Sequence, residues 1–241
     1  MTDRVVVWFS AGASSAVAAK MMLSRGPAVI AYTDPGSEHE DNIRFIRDCE
    51  SWFGQEVVML KSKYVDTWQL WEQRRFLVGP RGALCTAELK RKVRFEFQRS
   101  TDVQVFGYTA EESARADRFR EQNPGMTLET PLIDAGLMKS DCLAMIERAG
   151  IELPVMYKLG YDHNNCVGCV KGGMGYWNKI RGDFPEVFSR MAALERQLNH
   201  SVLQHDGQNL YLDELDPMRG NFASEPNIQC SLLCELAEGE L

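Results

Sequence analysis

Residues 5–20 read VVVWFSAGASSAVAAK, and this stretch limits the fold more than any other. A β-branched apolar run breaks at a Ser/Gly/Ala-rich turn, and a helix-forming run follows. Ser10, Gly12, Ser14 and Ser15 fall where a first strand hands over to a first helix. The first backbone N–H groups of a helix have no intrahelical partner, and the macrodipole adds positive potential there. Such a turn is an anion site, most often for phosphate. Gly12 lets the backbone approach the anion, and serine hydroxyls can donate to it. An ordinary strand–turn–helix with serine caps uses the same residue types.

Two phosphate loops are excluded. The chain has no GxxxxGK[ST] and no GxGxxG, so neither a Walker loop nor a dinucleotide fingerprint is present.

Strand and helix signals alternate through the first two-thirds, which predicts βαβ units and a mainly parallel sheet. Arg4–Phe9, Ala28–Tyr32, Glu56–Leu60 and Val103–Tyr108 read as strands. Ser14–Arg25, Asp41–Phe53, Tyr64–Arg75, Glu111–Arg120 and Ser140–Arg148 read as helices. Thr86–Arg99 reads as one basic helix capped by Thr86. From Gly160 the composition turns to Gly, Asn, Cys and aromatics, read as a structured loop. A helix over Asp183–Asn199 follows, with Asp183 as its cap and Pro185 in its first turn. The predicted division is a domain over 1–160 and a Cys-rich loop, helix and tail over 161–241 packing on it.

A chain of 241 residues, 44% hydrophobic and 25% charged, accommodates one full α/β domain plus an appendage. No apolar run approaches the roughly 18–20 residues of a membrane helix. The N-terminal residues carry no signal-peptide pattern, so the expected location is cytoplasmic, with no membrane partner. A net charge of −7 argues against broad non-specific nucleic-acid binding.

Seven cysteines in a cytosolic chain point to metal or redox chemistry rather than structural disulfides. Cys49 and Cys142 fall on apolar helix faces and read as core. Cys85 precedes the basic helix, Cys166 and Cys169 form C-x-x-C, and Cys230 and Cys234 form C-x-x-x-C. The C-x-x-C spacing lets two thiolates reach one metal or cluster, and Lys171 favours the thiolate forms. Zn²⁺, an Fe–S cluster and a dithiol pair all remain open on spacing alone. Asp34, at the end of strand two, suits Mg²⁺, a ribose hydroxyl or a plain Asp-Pro-Gly turn. Among the clustered basic residues, Lys90 and Arg115 are singled out. The four histidines have no ligand spacing, and no Ser/His/Asp triad context is present.

The S-x-G-x-S-S turn resembles the pyrophosphate loop of the adenine-nucleotide α-hydrolase superfamily. Further blocks extend the likeness in order: FSAGASSA at 9–16, YTDPGSEHED at 32–41, CTAELKRKV at 85–93 and FGYTAEESARADR at 106–118. TPLID at 130–134 and GIELPVMYKLGYDHNNCVGC at 150–169 complete the set. Together they resemble the phosphoadenosine-phosphosulfate (PAPS) reductase family. The resemblance implies an α/β Rossmann-like (HUP/PP-loop) sheet with helices on both faces, plus a Cys-rich C-terminal helical appendage. It implies nucleotide phosphates on Ser10, Gly12, Ser14 and Ser15, adenine near Tyr32 and Thr33, and Asp34, Gly107, Glu112 and Arg115 around the nucleotide.

In the cluster-bearing reductases a Cys-Cys pair precedes C-x-x-C by about 80 residues. Here 80 residues lie between Cys85 and Cys166, but Leu84 and Thr86 flank Cys85, so one ligand of the pair is missing. The expected set for a [4Fe–4S] cluster, or for Zn²⁺, is Cys85, Cys166, Cys169 and Cys230, with Cys234 the alternative fourth ligand. An iron left open for sulfide is the other way to complete it. The family's catalytic Glu-Cys-Gly-Leu matches poorly at Cys234-Glu235-Leu236.

The leading expectation is therefore an enzyme that cleaves ATP between the α- and β-phosphates, with Mg²⁺, and passes sulfur to the adenylated acceptor, Lys90 and Cys234 taking catalytic roles. Its partners are the nucleotide, a sulfur donor or thiol reductant, and a small-molecule or nucleobase acceptor, with a homodimer as a further expectation. Reduction of adenylyl sulfate (APS) or PAPS by Cys234 is the second reading, and nucleotide binding without turnover the third.

Overall fold

The computed structural model describes residues 3–80, 82–226 and 228. In chain order the main elements begin β1 (Val5–Phe9), α1 (Ala13–Arg25), β2 (Val29–Asp34), α2 (Asp41–Phe53), β3 (Val58–Lys61) and α3 (Thr67–Arg74). A short hairpin, β4 (Val78–Gly79) and β5 (Gly82–Ala83), leads into a π-helical turn at Thr86–Arg91 and then α4 (Lys92–Phe97). Next come β6 (Val103–Phe106), a 3₁₀ turn (Ala110–Glu112), α5 (Ser113–Gln122), β7 (Thr127–Glu129), α6 (Pro131–Asp134), α7 (Lys139–Arg148) and α8 (Val155–Lys158). The remainder holds α9 (Met174–Asp183), α10 (Pro185–Leu198) and the hairpin of β8 (Leu203–His205) and β9 (Gln208–Leu210).

Two compact units account for the described residues, which fall within the following ranges. The first takes 1–34, 39–61 and 92–164, and the second takes 35–38, 62–91 and 165–241.

The first unit is a five-stranded sheet in the order β3-β2-β1-β6-β7, with every pair parallel. Burial on both faces explains why β1 is an unbroken apolar run rather than an alternating one. One face of β1 presents Val7 and Phe9 to a core shared with Ala16 and Val17 of α1, Phe45 and Cys49 of α2, and Cys142 and Ile146 of α7. On the other face Trp8 meets Phe97 of α4 edge-on at 6.0 Å and donates its indole N–H to Gln104. Phe106 meets Phe119 of α5 there at 5.3 Å. This is the expected Rossmann-like α/β architecture, helices on both faces included. Small buried residues at Ala13, Ala16, Ala18 and Ala19 suit α1 to close packing against the sheet.

In the second unit α9 and α10 pack through Trp177 and Phe188, whose rings lie 6.4 Å apart. Glu195 of α10 is fully buried and accepts the N–H groups of Val202 (2.6 Å) and Leu212 (2.7 Å), which ties the β8–β9 segment to the helix.

Several expected boundaries move. The Gly-rich stretch after residue 160 contains α9, because Tyr176, Trp177 and Ile180 form a buried face. Asp183 ends α9 instead of capping the next helix, and Phe184 stands between the two helices. Pro185 forces this break by disfavouring helical backbone at the residue before it. The basic helix splits into the π-helical turn and α4, and helical backbone already includes Leu84 and Cys85, so Thr86 lies inside helical backbone rather than at its N-cap and Cys85 is not in a loop.

Candidate functional site

In an open parallel sheet, ligands bind at the carboxyl ends of the strands where the strand order reverses. Here that point lies between β1 and β6. Beyond Phe9 the chain passes through Ser10, then Ala11 in the left-handed region (φ 52°), then extended Gly12, and enters α1. Ser15 braces the turn: its hydroxyl accepts the Ser10 N–H at 3.0 Å and donates to the Gly12 carbonyl at 2.9 Å. The Ser10 hydroxyl lies 3.1 Å from that of Ser15. Ser14 turns sideways and hydrogen-bonds the thiol of Cys142 on α7, which burial pushes up to about 11. Ser10 is exposed.

The turn after β6 rests directly on the start of α1. A Cβ on Gly107 would fall 2.6 Å from both the Cα and the N of Ser15, so only glycine fits there. The two predicted loop positions thus meet, and they do so by backbone contact.

Two residues that the sequence reading left unassigned shape the same turn. Asn164, 4% exposed, donates from one amide nitrogen to the Ala11 carbonyl at 2.6 Å and to Asn42 Oδ1 at 2.7 Å. Tyr157 of α8 accepts the Ala13 N–H on its hydroxyl, and burial pushes that phenol up to about 12. The only sequence signal for either is membership of the block at 150–169.

Further around the first unit, Glu112 and Arg115 pair with each other, and Arg115 lies over the Tyr108 ring at 5.2 Å. Glu112 also accepts the Thr109 N–H at 3.2 Å, closing a capping box on the 3₁₀ turn. At the end of β2, Asp34 pairs with Lys61 at 3.7 Å. The Tyr32 side chain is only 2% exposed and packs with Phe9, and Thr33 is buried as well. The side chains of both strand-two candidates for adenine contact are therefore buried.

Lys90, Cys85, Cys166 and Cys169 belong to the second unit. The Lys90 ammonium makes an ion pair with Glu38 at 3.2 Å, both side chains under a tenth exposed. Glu38 in turn bridges the backbone of Cys166. The C-x-x-C turn is organised by the Tyr176 hydroxyl, which accepts the N–H groups of Gly168 (3.1 Å) and Cys169 (2.9 Å). Among the described residues no group of three or more His, Cys, Asp or Glu side chains is gathered to hold a metal ion. Cys85, Cys166 and Cys169 do not by themselves form the ligand set expected for a [4Fe–4S] cluster or Zn²⁺, and among the described residues Asp34 belongs to no such group that could hold Mg²⁺. Cys230 and Cys234 lie outside the described residues. None of the described helices is long and apolar enough to cross a membrane.

No family model matches the chain, and no curated protein does. Among solved structures it is similar to phosphoadenylyl-sulfate (PAPS) reductase from Candida auris in a phosphate complex, with a TM-score of 0.53 and 13% identity. The match covers 69% of this chain and 82% of that one. At that identity the likeness is one of fold, and it agrees with the mainly parallel α/β sheet.

Proposed function

We propose that the chain is an adenine-nucleotide enzyme whose first unit seats nucleotide phosphates on the Ser10–Ser15 turn. The observation that carries this reading is the braced turn itself: a helix N-terminus at the sheet's switch point, backed by a glycine in the adjoining loop. The reaction we favour is cleavage of ATP between the α- and β-phosphates. A nucleophile on the acceptor attacks the α-phosphorus, the bond to the bridging oxygen breaks, and pyrophosphate leaves with the electron pair. N–H groups at the start of α1 stabilise the charge that grows on the leaving group. A sulfur donor then displaces AMP from the adenylated acceptor.

Likeness to PAPS reductase favours a second reading, in which a thiolate attacks the sulfur of APS or PAPS. The new S–S bond forms as the nucleotide leaves, and a thiol reductant then frees sulfite. Cys234 is the nucleophile this reading requires, and its weak match to the family motif places it second.

Calorimetric titration with MgATP, APS and PAPS, followed by assays for pyrophosphate and sulfite, separates the two. Tight ATP binding with pyrophosphate release supports the first. Sulfite release that disappears in Cys234→Ser supports the second. Binding of none of the three nucleotides overturns both.

A further inference from the structure

A lysine opens α7, where the helix dipole disfavours a cation and acidic residues are the usual choice. Its backbone N–H is satisfied by Glu111 at 3.1 Å. The ammonium is another matter. It lies 5.8 Å above the Tyr157 ring, half-buried, and among the described residues no carboxylate comes within ion-pair distance of it. Glu111, Glu112 and Asp162 act on it only at longer range. A half-buried ammonium with no contacting carboxylate has lost part of its hydration and keeps room for an anion.

The surroundings say where that anion sits. Lys139 and Cys142 are three residues apart on α7 and share a face. Cys142 bonds Ser14 in the first turn of α1. Tyr157, beneath the ammonium, holds the Ala13 N–H, and its hydroxyl oxygen would lie 3.1 Å from a Cβ on Gly12. The face of α7 that carries Lys139 is therefore the face turned to the phosphate turn.

We propose that Lys139 binds the phosphate groups seated on the Ser10–Ser15 turn and makes that turn prefer a pyrophosphate-bearing nucleotide to a monophosphate. This rests on the nucleotide reading above. The ligand chemistry is an anion with several terminal oxygens. A lysine suits it because a compact, mobile ammonium can follow charge along a polyphosphate without a fixed fork geometry.

The test is calorimetric titration of the full chain and of Lys139→Gln and Lys139→Arg with inorganic pyrophosphate, ATP, AMP and adenosine. Lys139→Gln should weaken pyrophosphate and ATP by about tenfold or more, the usual range for a lost charged hydrogen bond. Adenosine should bind as it does to the unmodified chain, AMP should lose less than ATP, and Lys139→Arg should recover most of the loss. Unchanged pyrophosphate and ATP binding in Lys139→Gln overturns the proposal while leaving the nucleotide reading intact. An equal loss for all four ligands overturns it too, since that marks a structural role. If the unmodified chain binds neither ATP nor pyrophosphate, the nucleotide reading itself falls, and this inference with it.

Discussion

One carboxamide sets the polarity of the Ser10–Ser15 turn. In a trans peptide the C=O and the following N–H point in opposite directions. Asn164 fixes the Ala11 carbonyl from the buried side, so the Gly12 N–H is turned away from Asn164. Replacing Asn164 with Ala leaves a buried carbonyl without its donor and should cost about 1–3 kcal/mol, read from urea unfolding midpoints. The ¹⁵N shift change of Gly12 on adding pyrophosphate should shrink in the same variant. Gly107→Ala has a different cause, a Cβ driven into the backbone of Ser15. It should destabilise by about 1–3 kcal/mol, as overpacking does, and weaken nucleotide binding in parallel. At this scale the sequence revealed positions whose role is local. Gly12 and Ser15 could be found because a turn and a helix start have their own grammar. Asn164 and Tyr157 could not, because each bonds a turn more than a hundred residues away in the chain.

Among the elements, α10 carries a pH-sensitive fastening. Burial pushes the Glu195 carboxyl up to about 7 from 4.5, with the N–H groups of Leu212 and Val202 pulling the other way. Because the folded value lies above the unfolded one, the folded state holds this proton more tightly. The group's contribution is full below about 4.5, falls as pH rises toward about 7, and is gone above that. Urea midpoints measured between about pH 5 and pH 8 should show that decline, and Glu195→Gln should flatten it. The amide keeps only one good acceptor for two N–H donors, so a constant loss should accompany the flatter slope. Tyr176→Phe removes the acceptor for two amides of the C-x-x-C turn and should cost about 2 kcal/mol or more in the same assay. Long periodic helices such as α1 and α2 were readable from sequence. The helix α9 was not, since its glycines imitate a loop, and neither was β7, whose three residues give periodicity nothing to work with.

For the whole molecule, the alternation of strands and helices was enough to predict a parallel sheet, because a parallel connection requires a crossover that usually forms a helix. The boundary at 160 was less informative, since composition does not record that 35–38 and 62–91 gather with the later residues. A chain of net charge −7 binds an anion only through local donors. Raising salt from about 0.05 to 0.5 M should therefore weaken ATP and pyrophosphate several-fold and leave adenosine unaffected. The interleaving has a consequence for synthesis. The chain passes between its two units five times, so neither exists as a continuous piece that a gene fusion could lift out. A nascent chain cannot complete the first unit until residue 164 has emerged, and by then 35–38 and 62–91 still await their partners. A fragment ending at residue 160 contains every strand of the parallel sheet, yet it should emerge from expression as aggregate, with segments of the second unit exposed and nothing left to receive them.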